Sequence, residues 1–222
     1  MIVWLPGNVC NPSSRPESND SRRLEAAVSR DGASDFLCLL HPDFHMPADA
    51  VIGEGFDADS YVRSLKDAGV DAVAMFASCH YGHCYYPTEI GIRHPNLRCD
   101  MLGEVSRAWS GHGIGLVAYH SVFLATAVVD AHPDWRFEAT DNRADAGFDS
   151  GRFRRICVNS PFLEEYFLPI CRETAAHCHM DELLLDTMCG FAPCFCRHCV
   201  EAFGGPIPSD SASSDWPRYV NW

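Results

Sequence analysis

Apolar residues in this chain gather into short dense runs separated by stretches with helical spacing. Phe36–Leu40, Val70–Ala77, Ile114–Tyr119 and Leu183–Leu185 are brief and lack polar alternation, so they predict strands covered on both faces. Between them Asp57 predicts a helix N-cap, with Tyr61, Val62, Leu65 and Ala68 on one face and Gly69 at the end. Asp100 caps a second helix, with Leu102, Val105, Ala108 and Trp109 inward and Gly113 beyond its end. Ser160, with Pro161 at the first helical position, opens a third whose inward residues are Leu163, Tyr166, Phe167 and Ile170.

Strand and helix alternate four times with no hairpin signal between strands, which implies a parallel sheet with right-handed crossovers. The long, aromatic-rich connections follow strands, and the short ones follow helices. That asymmetry predicts a (β/α) barrel, whose chemistry gathers on one rim. A doubly wound sheet is the alternative, but no glycine-rich phosphate loop follows the first strand. A full barrel has eight βα units in typically about 250 residues, whereas 222 residues here show four. The expected fold is therefore α/β, the N-terminal half of a (β/α)8 TIM-type barrel with parallel strands over residues 33–222. It follows a loosely ordered leader at 1–32 with one short helix at Arg22–Val28, and Trp216–Trp222 reads as the start of a further helix.

A net charge of −13 disfavours nucleic acid and anionic membrane surfaces as partners, because phosphate contacts need clustered Lys and Arg. No segment approaches the ~20 apolar residues of a membrane span. Met1–Pro6 lacks the basic and apolar regions of a signal peptide, so a cytoplasmic location is expected. In that setting the twelve cysteines should be reduced thiols. Cys38, Cys157 and Cys171 lie in core segments, where cysteine acts as a small hydrophobe. Cys189, Cys194, Cys196 and Cys199 follow C-x4-C-x-C-x2-C, a spacing suited to one structural tetrahedral Zn²⁺.

Strand-end loops supply the other candidates. Asp43 and His45 follow the first strand, His80 and His83 the second, and Asp186 ends the three-leucine run. A carboxylate there is costly to desolvate unless something binds it, which makes Asp186 the leading functional residue. Asp43 also fits a plain Asx turn, and the histidines also fit solvated loop positions. Tyr81, Tyr85 and Tyr86 share the histidine loop, and aromatic faces beside His and Asp suit a sugar. A pocket lined by Asp43, His45, His80 and Tyr85 around Asp186 is the expected carbohydrate site.

These residues resemble the hypothetical glycosyl hydrolase 6 family. The likeness runs through Asp43-Phe44-His45, Phe56-Asp57, Leu65-Lys66-Asp67-Ala68-Gly69-Val70-Asp71, His80-Tyr81-Gly82 and Tyr85-Tyr86-Pro87-Thr88. It continues in order through His94-Pro95-Asn96-Leu97, His132-Pro133-Asp134-Trp135, Cys157-Val158-Asn159-Ser160-Pro161, and Asp186 with Pro193-Cys194-Phe195-Cys196. The family is similar to α-L-fucosidases in its first half, which implies a sugar contact at His80 and a nucleophile at Asp186. The fucosidase His-His-Asp-Gly run reads His80-Tyr81-Gly82-His83 here, so the sugar stays open between fucosidase-like and galactosidase-like. The Cys-x-Cys-x-x-Cys part resembles the zinc cluster of family 42 β-galactosidases, whose fourth thiolate comes from an earlier loop. Cys189 is the nearest fourth ligand here, with Cys84 and Cys79 as rivals.

A retaining glycosidase also needs an acid/base carboxyl about 5–5.5 Å from the nucleophile. Glu201 falls in the helix after the cysteine loop, and little places Glu89 or Asp43 in that role. The chain alone is therefore expected to lack turnover and to close its open strand edges against a second copy or a C-terminal partner chain. Two other functions compete. One is a non-catalytic, zinc-stabilised carbohydrate-binding or assembly module. The other is a metal-dependent hydrolase with Asp43, His45, His80 and His83 around a catalytic ion.

Overall fold

A computed structural model describes residues 3–6, 36–109, 111–139, 152–188 and 193–222. The bulk of the leader, Arg22–Val28 included, and Cys189 lie outside the described residues.

The apolar runs become the sheet. Strands β2 (Leu39–Leu40), β3 (Ala72–Ser78), β6 (Gly115–Ser121) and β7 (Glu182–Asp186) are parallel neighbours in chain order. Every residue of β3 and β6 is buried. Their unbroken apolar character is what a parallel strand covered on both faces requires. Two short strands, β4 (His83–Cys84) and β5 (Ile92–Arg93), extend the sheet from the end of β3, with β4 antiparallel to it. On the opposite edge, β1 (Val3–Pro6) runs antiparallel to β7 and pairs Val3 with Leu185. The β7 edge expected to be open thus carries a strand, and Pro6 suits an edge because it has no N–H to pair.

Helix α1 (Ala58–Asp67) starts where Asp57 Oδ1 accepts the Ser60 N–H at 3.1 Å, and it buries Val62 and Leu65. Gly69, at φ +77°, turns the chain out of it. Helix α2 (Met101–Trp109) opens with Asp100 Oδ1 accepting from Gly103 N at 2.9 Å. A short α3 (Thr126–Ala131) follows β6 and leads into a 3₁₀ turn at Pro133–Trp135. The third expected helix has two parts, a π-helical turn at Leu163–Phe167 and then α4 (Leu168–His177). Pro169 has no N–H to return and its ring crowds the preceding turn, which accounts for the widening ahead of it. Helices α5 (Arg197–Phe203) and α6 (Trp216–Val220) complete the chain. No helix among the described residues is long and apolar enough to cross a membrane.

The fold is mixed α/β with a mostly parallel sheet. Its main core lies around β3, β6 and β7, and a second small core joins Phe137, Cys157, Cys194, Cys196, Cys199, Phe203 and Ile207.

Candidate active site and cysteine cluster

The parallel register aligns Ser121 with Asp186 and Tyr119 with Leu184. Side chains alternate along a strand, so Tyr119 shares a face with the end of β7 and reaches its terminal carboxylate. Tyr119 Oη donates to Asp186 Oδ2 at 2.6 Å and lies 3.1 Å from His80 Nε2 and 3.5 Å from His45 Nε2. His80 Nε2 is 3.5 Å from the same Oδ2. The His45 and His80 rings stack at 3.5 Å with planes 18° apart. The His80 backbone N–H donates to His45 Nδ1 at 3.1 Å. That bond occupies the Nδ1 lone pair and leaves the proton of neutral His45 on Nε2, facing Tyr119.

Charge follows from this geometry. The His80 contact holds the Asp186 carboxyl well below the usual carboxylate range, helped by the Tyr119 hydroxyl and the Thr187 N–H and opposed by burial. Burial and neighbouring His80 push His45 down to about 4. His41 is likewise lowered by burial, and the Tyr119 phenol is raised by burial and by its bond to Asp186. At neutral pH the site therefore presents an ionised carboxylate beside a neutral imidazole and a neutral phenol. Phe153, 6% exposed, walls this group with its ring edge-on to His80 at 5.1 Å and to Tyr81 at 4.8 Å.

Asp186, His80 and His45 are thus brought together, and the other expected residues are placed around them. Asp43 is exposed and its Oδ1 accepts the His45 N–H at 2.9 Å, the Asx turn that shapes the His45 loop. Tyr85 is 2% exposed; its hydroxyl donates to Phe44 O and accepts from Met46 N at 3.1 Å. It therefore props the His45 loop from behind, outside the Asp186 group. His83 packs edge-on against His94 at 5.2 Å, with its buried Nδ1 unpartnered. The set Asp43, His45, His80 and His83 is accordingly not assembled around one point. Tyr119, which joins the group through Asp186, His80 and His45, was not among the residues the sequence singled out, although its place at the end of an apolar run was the available signal. Thr187 and Phe153 gave none.

Cys157, Cys194, Cys196 and Cys199 are buried with all four sulfurs within 4.8 Å of one another. Cys157 Sγ lies 3.3 Å from both Cys199 Sγ and Cys196 Sγ. A tetrahedron of Zn–S bonds of about 2.3 Å has edges of roughly 3.8 Å, so the sulfur set fits one ion. Bonds from Cys157, Cys194 and Asn159 pull the Cys199 thiol down to about 4, while Cys157, sharing its proton with Cys194 and Cys199, is pushed up. Asn159 Nδ2 donates to Cys199 Sγ at 3.3 Å and Glu138 N to Cys194 Sγ at 3.4 Å, bonds suited to thiolates. These four cysteines could hold a metal ion. Among the described residues no other group of His, Cys, Asp and Glu converges in this way.

The result is an α/β chain with an ionised carboxylate at a strand end. It belongs to the hypothetical glycosyl hydrolase 6 family, whose model matches residues 57–187. It is similar to the α-L-fucosidase isoenzyme 2 of Paenibacillus thiaminolyticus, with a TM-score of 0.68 and 25% identity, over 80% of this chain and 27% of that one. The chain thus spans about a quarter of that enzyme's length. A hypothetical protein of Ruminiclostridium thermocellum matches at a TM-score of 0.49 and 13% identity, over 67% of this chain and 75% of that one. The Thermotoga maritima α-fucosidase in complex with fucose matches at 0.30 and 24%, over 33% and 18%. No curated protein matches the chain.

Proposed function

We propose that this chain carries the nucleophile-bearing part of a glycoside hydrolase barrel, with Asp186 as nucleophile and His45, His80 and Tyr119 as contacts for sugar hydroxyls. The observation that carries this is the state of Asp186: ionised, at the C-terminal end of a parallel strand, and joined through one phenol to two histidines from separate loops. The β2–β3–β6–β7 order supports the first four strands of a barrel, since consecutive barrel strands are parallel neighbours. Likeness to an α-L-fucosidase over 80% of this chain favours a fucosidase-like over a galactosidase-like substrate. The match covers 27% of that enzyme, and in this reading the acid/base comes from outside the shared region.

In this mechanism the Asp186 carboxylate attacks the anomeric carbon as the bond to the leaving oxygen breaks, giving a glycosyl ester. Water then releases the sugar and restores the carboxylate. A low carboxyl pKa suits a nucleophile and disqualifies Asp186 as the proton donor. The Tyr119 hydroxyl, itself faced by His45 Nε2, fixes the carboxylate. The cysteine cluster is assigned a structural Zn²⁺ held by Cys157, Cys194, Cys196 and Cys199. With four thiolates the ion has no open position, so it stabilises and does not catalyse. The thiols, free among the described cysteines, suit a reducing cytoplasm.

A 2-deoxy-2-fluoro-glycosyl fluoride tests the assignment. Fluoride leaves without a proton, so trapping needs the nucleophile alone. Mass spectrometry should find the adduct on Asp186, with the fucosyl reagent faster than the galactosyl one. Adducts elsewhere, or none with either reagent, would end the nucleophile assignment. Sugar binding without an adduct would favour the other function, a carbohydrate-binding module. That alternative draws on one feature: among the described residues the hydrogen-bonding partners of Asp186 include no second carboxyl.

A further inference from the structure

Immediately after Asp186 the backbone takes an unusual turn. Thr187 has φ +61°, and among the described residues no other non-glycine residue has a positive φ. A β-branched residue is a poor occupant of the left-handed region, and such outliers concentrate where a site over-determines the backbone. Three bonds hold this one. The Phe123 N–H donates to Thr187 Oγ1 at 3.3 Å, and Ser121 Oγ lies 3.4 Å from the same oxygen. The Val122 N–H donates to the Asp186 carbonyl at 3.0 Å. All three come from the end of β6, two to four residues beyond Tyr119. In this conformation the Thr187 N–H points back at Asp186 Oδ1, 2.6 Å away. Tyr119 grips the other oxygen, Oδ2.

We propose that Thr187 is a positioning residue for Asp186: its hydroxyl, anchored to the end of β6, holds the left-handed turn that aims its N–H at Oδ1 and fixes the carboxylate against the histidine pair. An anchored hydroxyl explains why a threonine stands where glycine would be unstrained. Glycine would supply the angle without the tether. The inference rests on Asp186 being the working carboxylate of the site, but its test does not require sugar chemistry.

Asp186 has 31% of its side chain exposed and is open to small reagents. A water-soluble carbodiimide with an amine converts carboxyls to amides at a rate set by the protonated fraction, so labelling of Asp186 at pH 5 reports how firmly its ionised form is held. The other ionisable groups facing it are His80, Tyr119, His41 and His45, with Asp43 acting on the two latter histidines. These are unchanged across the variants. Peptide mapping of the full chain should show Asp186 amidated about ten-fold faster in Thr187→Val, the equivalent of one pKa unit. Thr187→Ser, which keeps the hydroxyl, should label at the wild-type rate. If Thr187→Val does not fold, Thr187→Gly replaces it and should also label faster than wild type. Equal rates in wild type and the hydroxyl-free variant, or a serine variant as fast as the valine one, would overturn the proposal. A purely structural role for Thr187 would lower the melting temperature and leave the Asp186 labelling rate alone. Failure of the glycosyl fluoride to trap Asp186 would remove the glycosidase reading and leave this labelling result intact.

Discussion

The Asp186 group joins residues of β6 and β7 to the loops after β2 and β3, the cysteine cluster joins the segments after β6 and β7, and the two are held in opposite ways. Among Asp186, Tyr119, His80 and His45 the contacts are hydrogen bonds or ring stacks between residues 35 or more positions apart. The cysteine cluster is a buried set of like atoms that repel one another as they ionise, and it is stable only if one proton is shared or one cation is bound. A hydrogen-bonded site tolerates the loss of one member by degrees. A thiolate cage does not, because three sulfurs and a gap no longer close a tetrahedron. The first arrangement suits chemistry that must tune a charge, and the second suits a clip.

The sharpest way to break that contrast is to remove one sulfur. Protein purified without chelator should carry about one zinc per chain. Cys157→Ser or Cys199→Ser should abolish retention, at a cost of about 4 kcal/mol or more, since loss of a structural metal ranks among the largest single-site effects. For a chain of this size that is a fall of about 10 °C in melting temperature. Cys189→Ser should keep its metal. Elemental analysis of the three variants decides the fourth ligand: retention in Cys157→Ser would return that role to Cys189.

A second effect, on the order of 3 kcal/mol, concerns acid. His120 is fully buried, with Nδ1 3.0 Å from Ser78 Oγ and Nε2 3.0 Å from Thr174 Oγ1, and burial lowers it to about 4. A histidine lowered on folding binds fewer protons in the native than in the unfolded state. Its contribution is therefore fully present above about 6.5 and is lost as pH falls towards 4. His45 acts in the same direction. Denaturation midpoints should fall across that window, and His120→Asn should flatten the slope. Zinc content measured at each pH separates this from protonation of the thiolates. An unchanged slope in the variant would remove His120 from the account.

These two regions also differ in how far they could be read from the sequence. Cys194, Cys196 and Cys199 lie within six residues, and local spacing is what a chain displays directly. Cys157 sits 37 positions before Cys194 in an apolar segment, where a thiol looks like any small core residue. Asp186, His45 and His80 were visible because polar residues at the ends of apolar runs are costly without a purpose. Tyr119 was hidden by its own apolar ring, which fits a buried strand equally well. Tyr85 was misplaced for a related reason: a loop tyrosine can face a ligand or brace the backbone, and only the Phe44 and Met46 partners decide which. β3, β6 and β7 were legible to within two residues, whereas only Leu39–Leu40 of the run at Phe36–Leu40 pairs, and β4, β5 and α3 were not foreseen. Nor was the antiparallel pairing of β1, because four residues ending in proline show no period.

Removing the Tyr119 hydroxyl should have a smaller effect than either change above. Tyr119→Phe keeps the ring stacked on Phe76 at 4.1 Å but takes a donor from Asp186 and a partner from His80. A stability loss of about 1–3 kcal/mol is expected, as for a charged group that loses a hydrogen bond. Asp186 has a lowered carboxyl pKa, so its contribution is present above the unfolded value of about 3.9 and is lost as pH falls further. The variant should shrink that acid-sensitive part, and trapping by the glycosyl fluoride should slow while zinc content stays unchanged. A variant that loses zinc would mean that the two regions are one cooperative unit.

The smallest expected effect tests whether surface ties share the load of the sulfur clip. Arg197 Nη2 meets Asp134 Oδ2 at 2.9 Å and joins α5 to the turn ahead of the Cys157 segment, with side chains 71% and 46% exposed. Water competes for both ends of such a pair, and exposed pairs contribute about 0–1 kcal/mol. His198 Nε2 meets the Asp134 backbone oxygen at 3.1 Å, which a side-chain change leaves in place, and lies farther, 3.9 Å, from the same carboxylate oxygen. Asp134→Asn should therefore lower stability by less than about 0.5 kcal/mol, an effect that vanishes in high salt, with zinc fully retained. A loss of several kcal/mol, or partial loss of metal, would show that the clip depends on its surface neighbours as the Asp186 group depends on its own.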